Sequence, residues 1–179
     1  MKEKINVLID KEAISSRIKE LGEQISRDYA GKELHIIGVL KGSVFFMCEL
    51  AKHISVPVSL DFMSISSYAG TKSTGIVKII KDLDEPITGR EVLLVEDIVD
   101  TGRSLKYLMG IFTDKRPKSL KLCTLLDKPS GRVVDGIEVE YRGFEIPDAF
   151  IVGYGLDYDQ KYRNLPYIGV LEFIPEEAE

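Results

Sequence analysis

The chain alternates between short apolar runs and stretches whose apolar residues recur with helical spacing. The first helix is predicted to begin after Asp10, a suitable N-cap, and to end near Gly31. Its apolar face comprises Ile14, Ile18, Leu21 and Ile25. A second helix is predicted over residues 44–52. Strands are predicted over residues 34–40, 56–65, 77–80, 120–126, 149–152 and 168–173.

This alternation of strands and helices is typical of an α/β fold. In such folds a mainly parallel central sheet carries helices on both faces. No internal repeat, low-complexity stretch or linker interrupts the 179 residues, so we expect one domain over residues 1–179. The strands near residues 34, 91, 120 and 149 each end in a polar or glycine-bearing loop. On a parallel sheet, such loops can converge on one edge, where α/β folds place their ligands.

The most informative segment covers residues 92–105. Four apolar residues stop at two adjacent carboxylates, Glu96 and Asp97, and a third carboxylate, Asp100, follows before a small hydroxyl-rich turn. After the turn, helical spacing resumes at Leu105, Leu108, Met109 and Phe112. The pattern predicts a strand, an acidic loop and a helix.

The pair Glu96–Asp97 offers two carboxylates to different neighbours. Adjacent side chains on an extended segment point to opposite sides, so one can face a ligand while the other faces a metal or a backbone group. Ribose hydroxyls and Mg²⁺ both suit such oxygens. The alternative is a solvated loop with helix-capping acids. The pair directly ends an apolar strand, which favours the functional interpretation.

The next five residues, Asp100 to Ser104, suit an anion. Amides at the start of a helix bind anions, Thr101 and Ser104 add hydroxyls, and Gly102 allows close approach of the backbone. An ordinary capping sequence would also use Thr and Ser. However, Asp100 beside an anion is electrostatically unfavourable unless it serves as a general base or stabilises a developing cation.

Other candidates are weaker on their own. Lys41 with Gly42 could hold a second phosphate, although a surface lysine before a turn explains it as well. The same holds for Lys128. Asp157 could be a metal ligand or a turn residue, and Arg163 could meet an anion or a surface carboxylate. His35 is expected in the core and His53 at a helix end, which argues against a histidine-based triad.

The amino-acid composition argues against several classes of protein. Hydrophobic residues make up 44% and charged residues 30%, as in ordinary globular domains, and a net charge of −5 argues against nucleic acid as the main partner. Cys48 and Cys123 lack metal-ligand spacing and are expected to be reduced, buried thiols. No apolar signal region or membrane-length run is visible, so we expect a cytoplasmic protein without a membrane partner. Neither a P-loop motif nor a dinucleotide-binding glycine motif occurs.

Residues 92–105 resemble the phosphoribosyl pyrophosphate (PRPP) signature of the type I phosphoribosyltransferases. Further matches resemble the hypoxanthine-guanine branch of that family, and their order covers most of the chain. These matches are Leu40-Lys41-Gly42, Ser67-Tyr68, Leu126-Asp127-Lys128, residues 150–158 and Arg163. The resemblance implies the type I phosphoribosyltransferase fold, with a small hood formed by the terminal segments.

The resemblance also implies a role for each matching residue. Glu96 and Asp97 would bind the ribose hydroxyls, and Asp100 would be the acid/base group near the purine N7. The 5-phosphate would lie on Asp100, Thr101, Gly102, Arg103 and Ser104. Pyrophosphate would meet Lys41, Gly42 and Arg163, often through a cis peptide between Leu40 and Lys41. Ser67 and Tyr68 would belong to a lid. The purine would contact Lys128, Phe150, Ile151 and Asp157. Mg²⁺ would be held by Glu96, Asp97 and Asp157.

The implied activity is an enzymatic one in purine salvage. It is the Mg²⁺-dependent transfer of a 5-phosphoribosyl group from PRPP to hypoxanthine or guanine, giving IMP or GMP and pyrophosphate. A homodimer or homotetramer is expected. The alternatives are a xanthine- or guanine-preferring relative, a PRPP-fold regulator that binds RNA or a nucleotide, and a receiver domain. The receiver would take its acids from separate strands and has no need of the Thr101–Ser104 turn.

Overall fold

The computed structural model describes residues 2–67 and 77–175. Its helices are α1 (Lys11–Asp28), α2 (Val44–Lys52) and α3 (Arg103–Asp114), and a short 3₁₀ turn covers Pro129–Gly131. Its strands are β1 (Lys2–Ile9), β2 (Leu34–Leu40), β3 (Val58–Ser67), β4 (Val77–Lys81), β5 (Glu91–Val99), β6 (Ser119–Asp127), β7 (Tyr141–Glu145), β8 (Ile151–Val152) and β9 (Ile168–Ile174).

The central sheet has six strands in the order β4-β3-β2-β5-β6-β7. Every neighbouring pair is parallel except β3 with β4, which is antiparallel. Because β2, β5 and β6 are parallel neighbours, their carboxyl ends lie side by side at one edge. The mainly parallel sheet predicted from the sequence is confirmed.

Helices cover both faces of this sheet, as predicted. One apolar cluster joins α1 and α2 to the sheet, and the other joins α3 to its opposite face. In β5, Leu93 and Val95 belong to the first cluster, while Val92 and Leu94 belong to the second. A strand that is buried on both faces explains the uninterrupted apolar run in the sequence.

The first helix forms where the sequence predicts it. Asp10 caps it by accepting a 2.8 Å hydrogen bond from the Ala13 N–H, and all four residues of the predicted face are buried. It ends at Asp28, three residues before Gly31. Residues 34–40 and 44–52 match β2 and α2, whereas β3 begins and ends two residues later than predicted.

The chain termini build a second, three-stranded sheet in the order β1-β9-β8, which is the expected hood. Two corrections follow. The strand predicted near residue 149 is β8, which pairs antiparallel with β9 in the hood and not with the central sheet. In addition, β1 and β7 were not predicted, because neither segment shows a clear apolar alternation.

The predictions for cysteines and histidines are partly confirmed. Cys123 is buried, but Cys48 is exposed on α2, so the prediction of two buried thiols is wrong for Cys48. His53 lies at the C-cap of α2, as expected. His35 is buried, and its Nδ1 lies 2.7 Å from the Ser59 hydroxyl, while its Nε2 has no hydrogen-bond partner among the described residues.

Within residues 2–67 and 77–175, no helix is long and apolar enough to cross a membrane.

Candidate active site

Glu96 and Asp97 lie inside β5 and not in a loop after it. The strand continues to Val99, and Glu96 pairs in register with Thr124 of β6. The expectation that the strand stops before the carboxylates is therefore wrong, because β5 continues four residues beyond Val95. Ladder hydrogen bonds to β6 hold this polar end of the strand in extended form, which apolar periodicity does not reveal.

The two carboxylates face different neighbours, as predicted for an extended segment. Asp97 lies against Gly42, since a Cβ on Gly42 would be 1.6 Å from the Asp97 Oδ2 atom. Glu96 instead lines a cavity of about 160 Å³ at the start of α3. One carboxylate therefore faces the loop after β2, and the other faces the loop after β5.

Burial disfavours the ionised form of both carboxylates. Desolvation, followed by the nearby Asp97 charge, raises the pKa of Glu96 well above its ordinary value. Desolvation also raises the pKa of Asp97 to about 6, against opposing hydrogen bonds from backbone amides. A cation or hydroxyl donors at this position would favour their ionised forms. The pair therefore suits a ligand that brings such groups.

The turn after β5 has the geometry of an anion site. Gly102 adopts φ 79° and serves as the N-cap of α3, so Arg103 is the first helical residue. The positive φ favours glycine here, and a Cβ on Gly102 would also lie 2.4 Å from the Ile137 Cδ1 atom, so that side chain would have to move. Thr101 and Ser104 line the 160 Å³ cavity together with Glu96. The first amides of α3 thus border a cavity that is also lined by two hydroxyls.

Lys128 joins the loops after β5 and β6. Its Nζ atom lies 3.3 Å from the Asp100 Oδ2 atom and 3.0 Å from the Asp148 Oδ1 atom. Burial lowers the pKa of Lys128, but hydrogen bonds with Asp148 and Asp100 outweigh it and hold that pKa above its ordinary value. Lys128 is therefore a fixed cation and hydrogen-bond donor beside Asp100.

The loop after β2 brings Lys41 and Gly42 to the same edge. The Leu40–Lys41 peptide is cis, as the resemblance implied. Lys41 Nζ donates to the Gln160 Oε1 atom at 3.2 Å. Gly155, at φ 105°, lies so close that a Cβ there would be 2.0 Å from the Gly42 carbonyl oxygen. The segment after β8 thus packs directly on the Lys41–Gly42 turn.

Asp157 and Arg163 form an ion pair in that same segment. Arg163 Nη2 lies 2.6 Å from the Asp157 Oδ1 atom, and Arg163 Nη1 donates to the Gly155 carbonyl at 2.7 Å. The other Asp157 oxygen accepts the Gln160 N–H at 2.9 Å. Arg163 Nε is buried and has no hydrogen-bond partner in the part of the chain that the structure describes. A carboxylate and a guanidinium are therefore held together near Asp97, whose pKa both of them influence.

An aromatic side chain lies in the loop before the hood strand β8. Phe150 is 51% exposed, and its ring meets the Tyr158 ring edge-on at 5.7 Å and 87°. Ile151 is buried in β8. The open face of Phe150 can stack on a planar ligand while Tyr158 supports its edge.

The residues predicted for the lid are only partly described. Ser67 is the last residue of β3, and Tyr68 lies outside the described residues.

No group of three His, Cys, Asp or Glu side chains is placed to hold a metal in residues 2–67 and 77–175. Mg²⁺ commonly takes only one or two carboxylates and completes its shell with substrate phosphate oxygens and water. Asp97 and Asp157 meet that requirement, since the charge of Asp157 raises the pKa of Asp97. The donor set therefore fits Mg²⁺ bound together with a phosphorylated substrate.

Several residues of this edge escaped sequence reasoning. Asp148 pairs with Lys128, Gln160 contacts Lys41, and Arg132 reaches the Asp100 backbone. None occupies a recognisable motif, and each acts through a contact between separate loops. Only Arg132 could have been proposed from the sequence, because it directly follows the glycine-containing turn after Lys128.

The chain is similar to known proteins over most of its length. Residues 6–159 match the family model of the phosphoribosyl transferase domain. The hypoxanthine-guanine phosphoribosyltransferase of Streptococcus thermophilus is 54% identical over 167 residues, which are 93% of this chain and 92% of that protein.

Solved structures of the same group are also similar. A hypoxanthine-guanine phosphoribosyltransferase from Bacillus anthracis has a TM-score of 0.89 at 48% identity, covering 96% of this chain and 100% of that one. The hypoxanthine phosphoribosyltransferase of Trypanosoma cruzi, in complex with the product IMP, has a TM-score of 0.87 at 43% identity, with 93% of each chain covered. The fold is that of the type I phosphoribosyltransferases, and the chain belongs to the hypoxanthine-guanine phosphoribosyltransferase family.

Proposed function

We propose that this protein transfers the 5-phosphoribosyl group of PRPP to hypoxanthine, and also to guanine, and releases pyrophosphate with IMP or GMP. The observation that carries this proposal is the pairing of Lys128 with Asp100 at 3.3 Å. A fixed donor and a carboxylate lie there beside the turn of residues 100–104, and Asp148, the second partner of Lys128, precedes the aromatic Phe150 by two residues. A purine with a 6-oxo group needs a hydrogen-bond donor for its oxygen and an acceptor for the proton that it loses.

PRPP would occupy the edge formed by the loops after β2 and β5. Its 5-phosphate binds the amides and hydroxyls of residues 100–104, and its ribose hydroxyls donate to Glu96 and Asp97. Its pyrophosphate meets Lys41, Gly42 and Arg163. The support for this arrangement is that Asp97 lies against Gly42 while Glu96 lines the cavity that Thr101 and Ser104 share.

Mg²⁺ would be held by oxygens of Asp97 and Asp157 together with substrate oxygens and water. Glu96 was also expected as a ligand, but it faces the cavity at the start of α3 instead. When bound, the ion neutralises charge on the departing pyrophosphate. In the structure Arg163 occupies one oxygen of Asp157, so this ion pair rearranges or shares that carboxylate. The raised pKa of Asp97 supports a cation at this position, because a nearby positive charge offsets the cost of burying its ionised form.

In the reaction, the purine nitrogen bonds to C1 of the ribose as the bond from C1 to pyrophosphate oxygen breaks. Positive charge develops on the ribose ring between the carboxylates of Glu96, Asp97 and Asp100, which stabilise it. The purine loses one proton, and Asp100 accepts it. Lys128 donates to the purine 6-oxo oxygen, Phe150 stacks on the base, and the backbone of Ile151 completes the purine contacts with Asp157.

Water must be excluded while PRPP is activated, because water would hydrolyse it. A lid that includes Ser67 and Tyr68 would serve this purpose. Its closure remains a prediction, as do the homodimer or homotetramer and the cytoplasmic location expected from the sequence.

The proposal is tested by incubating the protein with PRPP, Mg²⁺ and one of five bases: hypoxanthine, guanine, xanthine, adenine or uracil. Chromatography of the products should show IMP and GMP, and omission of Mg²⁺ should abolish both. If the nucleotide of xanthine is the main product, the protein is the xanthine-preferring alternative. If no base yields a nucleotide, the enzyme proposal is rejected and a regulator that only binds PRPP or a nucleotide becomes the better account.

A further inference from the structure

The loop after β6 is fastened to the loop that carries Asp100. Arg132 Nε donates to the Asp100 carbonyl oxygen at 3.1 Å. The next residue, Val133, donates its N–H to the Thr101 carbonyl oxygen, also at 3.1 Å. Two consecutive residues of one loop therefore hold two consecutive peptide groups of the other.

The Arg132 guanidinium is itself anchored. Its Nη2 atom lies 2.5 Å from the Oδ1 atom of Asp127, a side chain that is 2% exposed at the end of β6. The second Asp127 oxygen pairs with Arg142 Nε of β7 at 2.9 Å. The planar Arg132 guanidinium thus links the end of β6 to the Asp100 peptide. Its N–H groups point in fixed directions, which suits the two acceptor oxygens.

The same side chain packs on the anion-binding turn. A Cβ on Gly102 would lie 3.0 Å from the Arg132 Cδ atom, and a Cβ on Gly131 would lie 2.1 Å from the Asp100 Oδ1 atom. The loop after β6 therefore encloses Asp100 on its backbone side and on its carboxylate side.

We infer that Arg132 is a positioning residue for the transfer reaction, which holds Asp100 where it can accept the purine proton. It acts through the Asp100 peptide and touches no substrate. The inference rests on the proposed function. Arg142 offers a matched control, because it pairs with the same buried carboxylate and, within residues 2–67 and 77–175, its guanidinium otherwise pairs with Glu145 of its own strand.

The test compares Arg132→Gln with Arg142→Gln in steady-state kinetics and in thermal unfolding. Both variants remove one cation from Asp127, so both should lower the melting temperature. Only Arg132→Gln should lower kcat, by about 10- to 100-fold, as expected for a misplaced catalytic group, with KM for PRPP changed by less than about threefold. Equal kcat values in the two variants, or a loss confined to KM, would overturn the inference.

Hydrogen exchange provides a readout that does not need activity. Arg132→Gln should speed exchange at the Val133 amide, which donates to Thr101, and Arg142→Gln should leave it unchanged. Inactive wild-type protein would reject the proposed function, whereas unchanged exchange at Val133 would reject the positioning role. If Arg132→Gln does not fold, Arg132→Lys replaces it, since an ammonium keeps the charge beside Asp127 but lacks the planar fork.

Discussion

At the scale of single residues, the site depends on one lysine between two carboxylates. The Lys128 side chain is 12% exposed and contacts both Asp100 and Asp148. The Asp148 side chain is 75% exposed, so solvent screens its charge and weakens its pairing with Lys128. Asp100 follows β5 at the turn of residues 100–104, where the proposed reaction needs a proton acceptor.

Asp100→Asn should therefore lower kcat by about 10²- to 10⁴-fold, the usual range for losing a general base, with a much smaller rise in KM for PRPP. Asp148→Asn is the control, because it removes the other carboxylate on Lys128 and should keep kcat within about threefold. Initial rates at varied PRPP separate the two parameters. An equal loss in kcat and in PRPP binding would assign Asp100 a binding role instead.

At the scale of elements, the sequence predicted segments with a strong period and missed those without one. The apolar face of α1 was predicted because its buried residues recur at helical spacing, and the buried part of β5 was predicted because its apolar residues are consecutive. The extension of β5 through Glu96 and Asp97 was missed, since pairing with β6 fixes it. The loop contacts of Arg132 and Gln160 were missed for the same reason, as their partners are distant in sequence.

The turn before β5 depends on a buried carboxylate of β3. Asp61 accepts hydrogen bonds from the N–H groups of Phe62, Asp84 and Glu85, and Lys81 Nζ lies 3.6 Å from its Oδ1 atom. Burial raises the pKa of Asp61, but these hydrogen bonds and the Lys81 charge outweigh it, so the net pKa lies below its ordinary value.

A lowered pKa in the folded state means that ionised Asp61 stabilises folding above its unfolded pKa of about 3.9, and that this stabilisation is lost as pH falls through the folded value. Asp61→Asn should lower the free energy of unfolding at pH 7 by about 2 kcal/mol. The difference from wild type should shrink below about pH 4. Urea denaturation at several pH values measures this difference in the free energy of unfolding. Asp84→Asn is the control, because it changes an exposed carboxylate in the same turn. A difference that is independent of pH would contradict this assignment.

At the scale of the whole molecule, the site forms where two sheets meet. The central sheet supplies the loops after β2, β5 and β6, and the hood supplies the segment after β8. Close packing of Gly155 on Gly42 joins the two parts. Repeating patterns predicted the central sheet, but the hood followed only from the family resemblance, because long-range pairing of β1 with β9 leaves no local signal.

The proposed selection of a 6-oxopurine by Lys128 is tested most directly by the ratio of kcat/KM for hypoxanthine to that for adenine. Lys128 can donate to an oxygen at position 6 but meets another donor in the 6-amino group of adenine. A site built around such a hydrogen bond should favour hypoxanthine by at least about 10³-fold. Comparable kcat/KM values for the two bases would contradict the account.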